Sequence, residues 1–309
     1  MFTFFIYVCV FIYMTYQEIC RRLSDVYDVR EAKAVARILI EELFALSYAD
    51  IICGGVEQLN AIDEKRLEEA LRRLMAGEPL QYVLGYADFA GLRFGVAPGV
   101  LIPRPETEWL VDRAATMVGQ GRDDASAMPY NEGKPRILDI GTGSGCIAVS
   151  VKKRLPQAYV EAWDISADAL NIAKANAARL SANVEFRQCD ALKALAGEQS
   201  WNCIVSNPPY ICLSESEAME KNVLEHEPHT ALFVPDSDPL LFYRAIGDYA
   251  VKTLLPGGVL LFECNTRYAQ ATANMLLGIG MEQAKVVDDC FGKPRFVEAR
   301  KAVGGCAKI

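Results

Sequence analysis

Ile137-Leu138-Asp139-Ile140-Gly141-Thr142-Gly143-Ser144-Gly145 reads as an apolar strand that turns through three glycines into a helix. Glycines suit a place where the backbone turns tightly and approaches a ligand closely, at the carboxyl end of a strand. The turn alone is a weak signal. G-x-G-x-G serves nicotinamide, flavin and S-adenosylmethionine proteins alike, and a tight strand-to-helix turn with no ligand uses the same residues. A second signal lies downstream. The next strand, Tyr159 to Asp164, ends in a carboxylate about 20 residues beyond the glycines, where it can accept hydrogen bonds from both hydroxyls of a ribose. Asp190, just past a third strand over Val184 to Gln188, belongs to the same edge. It suits either the amino group of an adenine or the cap of a helix.

Further along, the strand Asn202 to Ser206 runs straight into Asn207-Pro208-Pro209-Tyr210. Two prolines cannot continue a central strand, so they fix the backbone at the rim of the sheet. The Asn207 side-chain oxygen and the Pro208 carbonyl can together accept both hydrogens of one planar NH2 group. An amide or aryl amine nitrogen is a poor nucleophile. Holding its two hydrogens and aiming it at an electrophilic methyl is therefore the useful catalytic act.

Strands and helices alternate throughout this half: strand Arg136 to Asp139, a helix from Ser144, and a helix over Ala167 to Leu180. Later come helix Leu240 to Leu255, strand Val259 to Glu263, helix Tyr268 to Gly278, and closing strands near Ala284 to Asp288 and Arg295 to Arg300. The pattern predicts a parallel α/β sheet with helices on both faces. Upstream, Gly119 to Lys134 lacks periodicity and reads as a surface loop, and Leu101 to Glu108 leads into a helix ending near Val118. The Gly- and aromatic-rich stretch over residues 77–100 predicts a hairpin connector. Residues 15–76 are helical in pattern. Asp28-Val-Arg-Glu31 has capping-box spacing, a second helix start falls near Asp63, and Leu67, Leu71, Leu74 and Met75 line one face before Gly77 and Pro79.

Lys and Arg total 32 against 40 Asp and Glu, a net charge of −8, which weighs against binding nucleic acid by neutralising phosphates. The ten cysteines show no C-x-x-C and suggest neither a disulfide scaffold nor a zinc site. The only histidines, His226 and His229, flank Pro228, which breaks any shared helical face, so no metal is expected. Met1 to Met14 is almost wholly apolar. It is too short for a spanning helix and lacks the flanks of a secretory signal. The expectation is that translation starts at Met14 and that residues 1–14 are an extension of the reading frame, a membrane tether being the rival.

With these residues in view the chain resembles the HemK/PrmC family, S-adenosylmethionine-dependent methyltransferases that modify the glutamine side-chain amide of class 1 peptide-chain release factors. The likeness runs from Met14 nearly to the end. It rests on Gly77-Glu-Pro-Leu-Gln-Tyr-Val-Leu-Gly85, Val100-Leu-Ile-Pro-Arg-Pro-Glu-Thr-Glu108, the Asp139 to Gly145 turn, Asn207 to Tyr210, Glu227-Pro228 with Ala231-Leu232, and Phe262-Glu263. The first two are the most specific, since generic methyltransferases lack them.

The resemblance implies a seven-stranded Rossmann-like class I methyltransferase sheet over residues 101–309, behind a small all-helical domain over 15–76 that docks the release factor. It implies S-adenosyl-L-methionine on Gly141, Thr142, Gly143, Ser144, Gly145 and Asp164, with Asp190 and Asn207 alongside. The glutamine is held by Asn207, Pro208, Pro209 and Tyr210. In-line methyl transfer to the amide nitrogen then needs no strong base, so Glu106 and Glu108 are free to cap the following helix or shape the site. No membrane and no direct nucleic-acid partner are expected, and the location is cytoplasmic, where release factors act. The chain departs from the family pattern at Glu263-Cys264-Asn265, where a small apolar residue and glycine commonly follow the Glu, and this bears on packing there. The alternatives are an adenine or guanine amino methyltransferase acting on a flipped base, the branch that modifies a ribosomal protein glutamine, and a non-catalytic adaptor.

Overall fold

The computed structural model describes residues 14–119, 134–197 and 200–303, and the chain divides between Leu84 and Gly85 into two units. The apolar residues 1–13 and residues 120–133, which the sequence predicts to be a surface loop, lie outside the described residues.

The first unit is built of α1 (Tyr16–Leu23), α2 (Val29–Phe44), α3 (Tyr48–Ile52), α4 (Ala61–Met75) and α5 (Leu80–Leu84). The four helices before α5 start on side-chain caps. Thr15 accepts from the Glu18 N–H, Asp28 from Arg30 and Glu31, and Asn60 from Ile62 and Asp63, each satisfying donors the helix itself leaves open. The Asn60 cap starts α4 a little earlier than the Asp63 start read from the sequence. Leu67, Leu71 and Leu74 are buried with Leu39, Ile40 and Ile19 in one core. Met75, expected on that face, is exposed, because it sits at the edge of the apolar stripe in the last turn.

The second unit opens with the hairpin β1 (Tyr86–Phe89) and β2 (Leu92–Gly95). Read from the sequence as a connector, it sends Phe89 and Phe94 into the core beneath the main sheet. There follow α6 (Glu108–Gly119), β3 (Arg136–Ile140), α7 (Cys146–Arg154), β4 (Tyr159–Asp164), α8 (Ala167–Arg179), β5 (Glu185–Gln188) and β6 (Trp201–Ser206). The remainder is β7 (Ile211–Cys212), α9 (Lys221–His226), α10 (His229–Leu232), β8 (Phe233–Val234), α11 (Leu241–Thr253), β9 (Leu254–Glu263), α12 (Ala269–Gly278), β10 (Glu282–Asp288) and β11 (Pro294–Arg300).

Seven of these strands form one sheet in the order β10-β11-β9-β6-β3-β4-β5. From β5 to β9 every pairing is parallel. The closing strand β11 runs antiparallel to both β9 and β10, since the tight turn at Asp289–Lys293 is far too short for a crossover. Strand β9 begins at Leu254, earlier than Val259, because Pro256-Gly257-Gly258 is absorbed as a bulge between the pairs Trp201–Leu254 and Cys203–Val259.

Alternating residues feed two cores. Ile137, Cys203, Val205, Val259 and Leu261 face α6 and α7, while Leu138, Ile140, Ile204, Leu260 and Phe262 face α11 and α12. This is the period-two alternation of a strand buried on both sides. The chain order reverses between β3 and β6, and in an open α/β sheet the crevice beyond the carboxyl ends of such a pair is where ligands bind.

Candidate active site

The carboxyl ends of β3, β4, β5, β6 and β9 carry Gly141, Asp164, Asp190, Asn207 and Glu263 to one edge of the sheet. At the first of these, the Gly141 and Thr142 N–H groups both donate to the Trp163 carbonyl at 2.9 Å, which pins the turn to β4. The Thr142 hydroxyl donates to Asp139 Oδ2 at 2.7 Å, and the Ala148 N–H reaches the same oxygen at 3.2 Å. Asp139 Oδ1 is buried without a partner. Burial pushes this carboxyl up to about 7, against the two hydrogen bonds that oppose the shift. Ser144 is buried, and its carbonyl accepts from Asn176 of α8 at 2.9 Å.

Asp164 faces the turn. Its Oδ2 accepts from the Gly143 N–H at 2.8 Å and its Oδ1 from Ser166 at 2.9 Å, and burial raises its pKa in spite of them. Nothing lies within 4 Å of the positions a Cβ would take on Gly141 or Gly143. Open space beside a glycine turn, the half-buried Asp164 carboxylate facing that turn and one orphaned buried oxygen on Asp139 fit a polar small molecule at this edge. Asp190 reaches the same edge with its carboxylate engaged in its own turn, accepting from Leu192 N–H at 2.9 Å and pairing with Lys193 at 3.0 Å.

The glycine turn and Asn207-Pro208-Pro209-Tyr210 are tied together at the strand ends, where the Ser206 hydroxyl donates to the Ile140 carbonyl at 2.6 Å. Asn207 Nδ2 donates to Thr107 Oγ1 at 3.3 Å, and Thr107 donates to Glu263 Oε2 at 2.7 Å. The Tyr210 hydroxyl donates to the other oxygen of the same carboxylate at 3.2 Å. Among the described residues no donor engages Asn207 Oδ1. Tyr210 is held along its backbone as well: its N–H donates to the Leu232 carbonyl at 3.2 Å, and its carbonyl accepts from Asn265 Nδ2, also at 3.2 Å. Burial and then the Glu263 charge raise the Tyr210 pKa, so its hydroxyl stays protonated at neutral pH. Burial raises Glu263 too, opposed by the Thr107 hydroxyl and the Arg295 guanidinium.

Three groups here have roles the sequence does not disclose. Thr107 and Glu263 both lie in recognisable motifs, but their contact joins residues 156 apart. The same holds for Glu227, which is buried and accepts from the Ile102 N–H at 3.2 Å and from Arg104 at 2.5 Å, clamping the segment before α6. Of the two acids left open by the sequence, Glu108 accepts from the Ala90 N–H at 2.8 Å and so anchors the hairpin turn, not its own helix. The departure at Cys264-Asn265 is accommodated. Cys264 is fully buried and Asn265 bridges Tyr210 and Glu215. His229 sits 2.8 Å from the Leu224 carbonyl. Among the described residues no group of three or more His, Cys, Asp or Glu could hold a metal ion.

Residues 15–85 match the family model of the PrmC N-terminal domain, and residues 125–229 match that of the methyltransferase small domain. A release factor glutamine methyltransferase of Bacteroides thetaiotaomicron is 44% identical over 90% of this chain and 96% of its own length. Relatives of the same name from Flavobacterium psychrophilum and Deinococcus radiodurans are each 36% identical. The first spans 91% of this chain and 96% of its own length, the second 87% and 91%. With both unit types matched and the likeness running almost end to end, this chain belongs to the release factor glutamine methyltransferase family.

Proposed function

We propose that this protein methylates the side-chain amide nitrogen of the glutamine in the Gly-Gly-Gln motif of class 1 peptide-chain release factors, with S-adenosyl-L-methionine as donor. The observation that carries the reading is the state of the Asn207 amide. Its NH2 is tied to Thr107 while, among the described residues, nothing donates to its Oδ1, at the strand end adjoining the glycine turn, and the Pro208 carbonyl follows it directly in the chain. Two acceptors at a rigid Pro-Pro turn suit the two hydrogens of a glutamine NH2.

When bound, S-adenosylmethionine supplies an electrophilic methyl group on its sulfonium. Gly141 to Gly145 would hold it by backbone approach and Asp164 by its carboxylate, with Asp190 and Asn207 alongside. Asn207 and the Pro208 carbonyl orient the substrate nitrogen, and the Tyr210 ring packs against the amide plane. Most of the acceleration then comes from positioning. A hydroxyl kept protonated makes Tyr210 no base. The proton of the alkylated nitrogen, acidic once the new bond forms, can pass to water.

The helical unit is read as the dock for the release factor. Among the described residues no helix is long and apolar enough to cross a membrane, and a release-factor substrate points to the cytoplasm. The test offers the protein labelled S-adenosylmethionine with, separately, a class 1 release factor, bulk tRNA and DNA, and maps the label by peptide mass spectrometry. Label on the Gly-Gly-Gln glutamine is expected. Label on nucleic acid alone would replace the reading with base methylation.

A further inference from the structure

We infer that Thr107 is a positioning residue that sets which way round the Asn207 amide stands, acting as a one-way relay between Asn207 and Glu263. A threonine hydroxyl has one hydrogen and two lone pairs. Thr107 is 3% exposed and Glu263 1%, so water scarcely competes for either. The Thr107 hydrogen lies on the 2.7 Å contact to Glu263 Oε2, and a carboxylate only accepts. What Thr107 presents to Asn207 is therefore a lone pair. The NH2 end of the amide satisfies it at 3.3 Å. Turned over, the amide would set Oδ1 against that lone pair, two acceptors facing each other with no hydrogen between them.

The consequence is that Oδ1 is held on the opposite side, where among the described residues nothing donates to it. Glu263 also takes the Tyr210 hydroxyl on its other oxygen at 3.2 Å, so each of its oxygens accepts from a hydroxyl, and the Arg295 guanidinium, 4.0 Å from that second oxygen, works against the burial that raises the Glu263 pKa. One buried acid thus restrains both ends of the Asn207–Tyr210 tetrapeptide, directly at Tyr210 and through Thr107 at Asn207. No motif spacing shows this. Thr107 belongs to the segment before α6, one hundred residues from Asn207.

The inference rests on Asn207 holding the substrate amide, and the experiment separates the two. Steady-state methylation of a release factor is compared for wild type, Thr107→Val and Thr107→Ser, with S-adenosylmethionine affinity measured on each. Thr107→Val keeps the shape and removes the relay. It is expected to lower kcat by roughly ten- to a hundredfold, as misplacement of a positioned group does, with KM and cofactor affinity within about threefold of wild type. Thr107→Ser keeps the hydroxyl and is expected to restore kcat to within about threefold. Should Thr107→Val fail to fold, Thr107→Ala against Thr107→Ser makes the same comparison. An undiminished kcat without the hydroxyl, or a serine variant as slow as the valine one, overturns the relay and leaves the proposed reaction standing. Wild-type protein that labels no glutamine overturns the reaction and the relay together.

Discussion

Asn207 and Asp139 are both polar groups at strand ends, and their environments assign them different work. Asn207 keeps an open acceptor, so Asn207→Ala is expected to cut turnover by roughly one to three orders of magnitude, the range for losing one preorganised hydrogen-bonding group. Cofactor affinity, read by calorimetry on the same preparation, is expected to stay nearly unchanged. If it collapsed with turnover, Asn207 would belong to cofactor binding alone. Asp139 is fully enclosed, and burial lifts its carboxyl from 3.8 to about 7. The folded state therefore holds this proton more tightly than the unfolded chain does. Its contribution to stability is complete below about pH 3.8 and is lost as pH rises through about 7. Asp139→Asn removes that slope. Urea unfolding at about pH 5 and about pH 8 is expected to show a smaller loss on going to the higher pH for the variant than for wild type, and equal losses would clear Asp139 of the effect.

The glycine turn between β3 and α7 divides its labour by position. Gly141 and Gly145 both have φ near +80°, at +77° and +81°, a region where an L side chain is strained by about 1 kcal/mol or more. Their surroundings differ. A Cβ on Gly145 would stand 3.0 Å from the Ala173 Cβ and 3.2 Å from its Cα, pressing on the backbone of α8, whereas one on Gly141 would meet nothing within 4 Å. Gly145→Ala is accordingly expected to be the more destabilising in denaturant titration, by about 1–3 kcal/mol beyond Gly141→Ala, as for overpacking in a close contact. Gly141→Ala is expected to act chiefly on S-adenosylmethionine affinity, since it fills the open side of the turn. Equal losses of stability would mean that α8 yields to the methyl group without resistance.

Each of the two units has its own buried core, one of Leu39, Ile40, Leu67 and Leu71, the other on both faces of the sheet, as separate domains do. We propose that chemistry and docking are separable along this division. A fragment of residues 85–309 is expected to bind S-adenosylmethionine as the full chain does and to methylate a short Gly-Gly-Gln peptide at a similar rate. For the whole release factor its KM is expected to rise by about tenfold or more with kcat little changed, the pattern of lost uniform binding. An unaltered KM would take the docking role away from the helical unit.

Local chemistry was readable in the linear order of residues: the glycine turn, the carboxylate at the end of the next strand, the two prolines after Asn207, the cap before α2, and the alternation that makes a layered α/β fold. Each is set by a few neighbouring residues through periodicity or turn geometry. The hairpin over residues 86–95 was legible as a hairpin but not as part of the sheet's core, since Phe89 and Phe94 find their neighbours only after β3, β6 and β9 have paired. Likewise the antiparallel course of β11 is decided by the turn at Asp289 together with its partner β9. Thr107 with Asn207, Thr107 with Glu263, and Ile102 with Glu227 lie 100, 156 and 125 residues apart. No periodicity spans such distances. These contacts exist because sheet register delivers the ends of β6 and β9 to the edge where the segment before α6 is clamped, so the residue types came from the sequence and their partnership from the tertiary structure.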